Sequence, residues 1–163
     1  MKCDVCGATL ISERATARKP YPYVECGLPN VYLIGIELRS CPQHGESPVI
    51  PRMGELHCVI ALSLIEKPGP LLGGEVTYLR KFARMQAKDF AARLRVSPET
   101  LSRIENSVQK MGASLDKLVR AVASAARDMK EARDVLLSPV AYEGSTRERV
   151  TLRPTTRGWR EAA

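Results

Sequence analysis

Short apolar runs rich in β-branched and aromatic residues mark the first third of the chain, and apolar positions at spacings of three and four mark most of the rest. Thr9 to Thr16 and Tyr21 to Glu25 are strand candidates, and Val31-Tyr32-Leu33-Ile34-Gly35-Ile36-Glu37-Leu38 follows the turn signal Pro29-Asn30. Pro20 and Pro22 have no N–H to give a ladder, which puts their strand at a sheet edge. From Gly54 to Lys67 the pattern changes: Leu56, Val59, Ile60 and Leu64 line one face of a helix. Lys67-Pro68-Gly69-Pro70 stops that helix and reads as a domain boundary, stiff at its start and flexible through Gly73-Gly74.

Beyond it the pattern is helical. Glu75 to Arg84 carries Val76, Leu79, Phe82 and Ala83, and Ala87 to Leu94 carries Phe90, Ala91 and Leu94. A third helix opens at Ser97-Pro98-Glu99-Thr100, with Ser97 as N-cap, Pro98 where a missing donor is harmless and Glu99 at the positive end of the dipole. Leu101 and Ile104 give it an apolar edge and Asn106-Ser107 closes it. From Ser114 to Ser138 an apolar stripe predicts one long helix, or two broken near Ala123 to Ala126. The stretch after Pro139 has five arginines and little periodicity, so it reads as a largely irregular basic tail with a single strand at 149–153. The expected fold class is α+β: a small β-rich domain over 1–70 closed by a helix, an all-α domain over 71–138, and the tail 139–163.

Composition changes this picture little: 163 residues, 44% hydrophobic and 26% charged, exclude a disordered polymer and a fibrous repeat. No apolar run approaches the roughly 20 residues a membrane span needs. Met1-Lys2-Cys3-Asp4 has no apolar core of the secretory kind, so a cytoplasmic location is expected, where five cysteines suggest metal rather than disulfides. Charge changes more. Lys/Arg balance Asp/Glu at 7 to 7 through residue 70, but stand at 13 to 8 over 71–138 and 5 to 3 afterwards, so the net +7 belongs to the second half and favours a polyanion there.

The chemistry is concentrated in two places. Cys3-Asp4-Val5-Cys6-Gly7 and Cys41-Pro42-Gln43-His44-Gly45 are knuckles that together supply the four thiolate or imidazole donors of a tetrahedral Zn2+. Four protein ligands leave no place for a reactive water, which makes the metal structural. Cys26, His57 or Cys58 are the alternatives to His44 as fourth ligand. A nucleophile built from Cys26 or Cys58 with His57 lacks an orienting third group, so no enzyme is expected. The second place is the three-helix run from Glu75 to Ser107, which has the proportions of a DNA-reading helix-turn-helix. With Leu101 and Ile104 inward, Glu99, Thr100, Ser102, Arg103 and Asn106 face elsewhere. Arg103 suits a bidentate contact to guanine, Ser102 and Thr100 polar or thymine-methyl contacts, Asn106 a phosphate or an adenine, and Glu99 a cytosine or simply the cap. Arg80, Lys81, Lys88, Arg93 and Arg95 are candidate phosphate contacts. Leu115, Leu118 and Val119 are expected to pack within the domain, leaving Val122, Met129 and Leu136 for the second copy that a palindromic site requires.

Three segments together carry a resemblance: Met1-Lys2-Cys3-x2-Cys6-Gly7, Tyr23-x-Glu25-x-Gly27-Leu28-x-Asn30-Val31-Tyr32-Leu33, and Cys41-Pro42-x2-Gly45-Glu46. They resemble the YgiT-type zinc domain of MqsA-family antitoxins, and Glu75 to Ser107 is similar to the Xre-type helix-turn-helix that follows it there. The resemblance implies a structural zinc, a domain able to bind a ribonuclease toxin, and a homodimer that represses its own operon at a palindromic double-stranded DNA operator through Ser97 to Asn106. This chain departs from the family in three ways. His44 replaces the last cysteine; Ala87 stands where a phosphate-contacting glutamine is usual; Arg95 and Ser107 replace turn glycines, which implies strain or an altered turn. Two other functions fit the same residues: a stand-alone zinc-containing regulator of a prophage or mobile element, and a redox sensor acting through Cys26 or Cys58.

Overall fold

The computed structural model of the chain describes residues 1–129 and 149–162. The fold is mixed α+β, with a strand-rich N-terminal region followed by five helices among the described residues. The strands are β1 (Ile11–Arg14), β2 (Tyr21–Pro22), β3 (Val31–Leu33), β4 (Glu37–Cys41) and β5 (Gly45–Val49). The helices are α1 (Met53–Glu66), α2 (Gly73–Phe82), α3 (Ala87–Leu94), α4 (Pro98–Glu105) and α5 (Ala113–Ala126). Two strands, β6 (Val150–Thr155) and β7 (Gly158–Glu161), follow near the C-terminal end. No helix among the described residues is long and apolar enough to cross a membrane.

Two compact units share the chain, and their division differs from the boundary expected at 67–70. The first takes Met1–Glu25, Pro29–Leu56 and the C-terminal strands; the second takes Cys26–Leu28 and, among the described residues, 57–129. In the first unit an antiparallel sheet of order β1-β4-β5 stands beside a sheet of order β2-β3-β6-β7. The run 31–38 that reads as one strand is therefore two: Ile34 N–H donates to Leu152 O at 2.9 Å while Gly35 N–H donates to Ala15 O at 2.7 Å, so the chain leaves one sheet for the other. β2, with Pro22, lies at a sheet edge as its missing donor requires. The strand expected at 149–153 is present as β6 and pairs in parallel with β3, and a second, unexpected strand, β7, completes a hairpin with it, while 139–148 lie outside the described residues. Apolar pairing explains this: Leu33 and Leu152 are opposite one another and both are fully buried. Trp159 is buried too, and its indole N–H donates to Pro51 O at 2.9 Å.

In the second unit α2, α3 and α4 start and stop within two residues of the boundaries that their sequence patterns predict. Ser97 accepts from Thr100 N–H at 3.1 Å and Pro98 opens α4. Arg84, Arg95, Ser107 and Asp128, at the C-terminal ends of α2 to α5, all adopt positive φ between 49° and 60°, a conformation that costs an L-residue about 1–2 kcal/mol. Those turns close regardless because Val96 N–H donates to Ala91 O at 3.1 Å and Val108 N–H to Arg103 O at 2.8 Å, satisfying carbonyls that a helix end leaves open. α5 stops at Ala126; the continuation expected to 138, with Leu136, lies outside the described residues from 130 on. Leu118, expected to be packed, is exposed, whereas Val119, Ala123 and Ser124 are buried.

The segment Lys67-Pro68-Gly69-Pro70 is not a loose joint. Lys67 Nζ donates to Pro70 O at 3.2 Å and to both Glu75 carboxylate oxygens at 3.0 and 2.9 Å, and Leu71 N–H donates to Asp116 Oδ2 at 2.6 Å. Arg120, almost fully buried, donates to the carbonyls of Leu64, Ile65, Lys67 and Gly69 at 2.6–3.2 Å and to Asp116 Oδ1 at 2.6 Å. One guanidinium thus caps the end of α1 and ties the following turn to α5.

Gly73 opens α2 against the end of α4, where an added Cβ would fall 2.5 Å from Ile104 O and closer still to Glu105 O. Backbone cannot move aside as a side-chain tip can. Gly73→Ala is expected to cost about 2–3 kcal/mol, although alanine is the better helix former. Urea denaturation followed by helical circular dichroism measures it, and a midpoint equal to that of the unsubstituted protein would refute the close approach.

Candidate functional site

The sheet β1-β4-β5 brings the two knuckles together. Cys3 N–H donates to Ala8 O at 2.8 Å and Gly7 N–H to Cys3 O at 2.9 Å, which folds the first knuckle into a tight turn. Cys41 ends β4 and pairs with Gly45 at the start of β5, so the second knuckle is the hairpin turn itself. Gly7 and Gly45 have φ of 73° and 79°, a region open to glycine without strain.

The ligand atoms of Cys3, Cys6, Cys41 and His44 all lie within 4.8 Å of one another, and this cluster can hold a metal ion. Cys6 Sγ and Cys41 Sγ are 3.5 Å apart, and His44 Nδ1 lies 3.5 Å from Cys3 Sγ and 3.4 Å from Cys41 Sγ. Donors at about 2.3 Å for sulfur and 2.0–2.1 Å for nitrogen around a tetrahedral ion are about 3.5–3.8 Å apart, close to these three separations. Cys26, His57 and Cys58 are not in the cluster. His57 Nδ1 lies 2.8 Å from Tyr78 OH instead.

The electrostatics favour thiolate at Cys3 and Cys41. The Gln43 N–H, followed by the His44 side chain and N–H, brings the Cys41 thiol down to about 6 against desolvation. The N–H groups of Cys6 and Val5 lower Cys3. Cys6 is drawn down by Ala8 N–H, yet desolvation and its neighbours Cys41 and Cys3 raise it on balance. Cys41 and Cys3 raise His44, the response of an imidazole beside negative sulfur. A metal cation would be held by these same charges. Beside the cluster a cavity of about 320 Å³ is lined by Cys3, Cys41 and His44 together with Lys2, Val5 and Arg39. Met1 and Val5, also on its lining, are 75% and 78% exposed.

No family model, curated protein or solved structure matches this chain.

The residues expected to meet DNA lie on α2, α3 and α4 and at the ends of these helices. Leu101 and Ile104 are buried against the unit, and Ser97, Glu99, Ser102, Arg103 and Asn106 are exposed, with Thr100 half-buried. Their side chains are not equally available. Ser97 and Thr100 satisfy one another at the N-cap, and Asn106 Nδ2 folds back to Ser102 O at 2.8 Å as a C-cap. Its own N–H, then the Ser97 side chain, hold the Glu99 carboxyl below the usual range, so it is a capping carboxylate. Arg103 and, on α3, Lys88 are exposed and make no side-chain hydrogen bond or ion pair among the described residues. Arg80, expected on phosphate, is instead bound to Glu105 at 2.6 and 3.2 Å. Sequence reading missed the Lys67, Glu75, Asp116 and Arg120 network; Arg120 at four residues from Asp116 was its only local signal.

Proposed function

We propose that the chain is a zinc-containing DNA-binding repressor of the antitoxin type, binding a palindromic operator as a homodimer. The single observation that carries the reading is α4: a capped helix of eight residues, joined to α3 by the three-residue turn Arg95–Ser97, with its apolar edge buried and Arg103 unengaged on the outer face. That arrangement suits insertion of α4 into a major groove, where Arg103 would read guanine and Ser102 a neighbouring edge, while Lys88 meets phosphate. Thr100 and Asn106 are secondary because their polar atoms already have partners. Exposed Leu118 on α5 supports pairing with a second copy.

Three thiols and an imidazole favour Zn2+ over hard cations, and four protein donors make it structural. The cavity beside it, with Met1 and Val5 exposed, offers a protein partner such as a toxin an apolar edge. This reading also rests on the resemblance to the MqsA family in residues 1–46 and 75–107.

The test is titration of the zinc-loaded protein onto DNA from directly upstream of its own gene. Arg103→Ala is expected to lose about 1–3 kcal/mol of preference for that DNA over random sequence, with affinity falling steeply between about 50 and 200 mM salt. Weak, equal binding of both proteins to both DNAs would remove operator recognition from the reading.

A further inference from the structure

The hairpin β6-β7 places Arg153 directly opposite Arg160, an arrangement in which like charges repel across a ladder. Arg157 stands at the hairpin turn. All three are exposed, and none makes a side-chain hydrogen bond or ion pair among the described residues. Pairing with β3 puts Thr151 opposite Tyr32, so Tyr32, Thr151, Arg153 and Arg160 share one face of the sheet. Arg149 belongs to the same face: its guanidinium lies 4.2 Å over the Tyr32 ring. Among the described residues no carboxylate forms an ion pair with these arginines. Glu161 is opposite Leu152 and so points to the other face, and Glu55 is paired with Arg52 at 3.6 Å.

Three arginines on one small face, two of them opposed across the ladder, with a fourth at the hairpin turn, carry a repulsion that a polyanion would relieve. We infer that this sheet face is a second contact surface for duplex DNA, on which Arg149, Arg153, Arg157 and Arg160 meet the phosphate backbone. Duplex is favoured over single strand because the one aromatic on the face, Tyr32, has a ring face covered by Arg149, and single-strand binders present open rings for bases to stack upon. Tyr32 instead holds Arg149 in place. The surface carries no hydrogen-bonding pattern aimed at base edges, so it contributes affinity without sequence preference. The class of ligand is the one already proposed for α4, but the surface does not depend on α4.

The zinc-loaded full chain and its Arg153→Ala/Arg157→Ala/Arg160→Ala variant, titrated onto a labelled random-sequence duplex between about 50 and 200 mM salt, test this. The variant is expected to bind about tenfold more weakly at the low end, with a salt slope shallower by about 2–3, since each phosphate contact contributes about 0.9. Unchanged Trp159 emission shows that the variant has folded, and the corresponding Lys variant should keep the slope. Equal affinity and slope for the Ala variant and the unsubstituted protein would overturn the inference. So would an equal loss on single-stranded DNA or on polyglutamate, which would make the face a general anion binder. Arg103→Ala separates the two surfaces: it should lose operator preference yet keep its affinity for the random duplex.

Discussion

Chelation is expected to unfold the first unit. Structural zinc in small domains supplies about 10–16 kcal/mol of apparent binding energy, comparable to or larger than the whole stability of a domain. The chain has one tryptophan, Trp159, buried at 4% exposure in the first unit, so its emission reports on that unit alone. Excess chelator should shift that emission to the red, Cys41→Ser should do the same without chelator, and His44→Cys should preserve the native spectrum. Emission that stays native after the metal is shown to have left would refute the structural role. The pH dependence has a definite sign. Cys41 is held at about 6, so its thiolate is present at neutral pH and is protonated as pH falls through that value. His44, raised by its sulfur neighbours, competes for protons in the same direction. Protons would therefore compete with a bound metal increasingly as pH falls, so metal affinity is expected to weaken on acidification and to recover when the pH is raised.

Arg120→Ala should be the most damaging substitution in the second unit. It removes five hydrogen bonds, leaves the Leu64, Ile65, Lys67 and Gly69 carbonyls without that donor, and deprives buried Asp116 of its counter-charge. Breaking a buried pair from one side costs about 3–5 kcal/mol. Arg120→Met discriminates between packing and polar satisfaction, because it restores the bulk without the donors. Urea midpoints for both variants decide the matter: if Met recovers nearly all the stability, the network is dispensable and the guanidinium serves as filler.

What could be read from the sequence is what is encoded locally. The Ser97-Pro98 start of α4 and the two knuckles are specified by neighbours within five residues, and both are found where the spacing puts them. The strand pairing of β6 with β3 is not local, and no pattern near residue 150 announces a partner near residue 31. Arg80 illustrates the same limit: an exposed-looking cation on α2 is committed to Glu105 of α4. Lys67-Pro68-Gly69-Pro70 correctly marks where α1 stops, since proline ends a helix from within. Its rigidity comes from Arg120, more than fifty residues downstream, and composition around the turn carries no trace of it.

Because β6 lies between β3 and β7, the order of synthesis matters. The knuckles precede the helical unit in the chain, and the strand that pairs with Leu33 follows it. At about 5–20 residues per second, the edge of β3 waits on the order of ten seconds for its neighbour. During that interval the whole of the helical unit emerges and can fold. The nascent chain is then most exposed to wrong strand pairing at Val31–Leu33, the edge that β6 later covers.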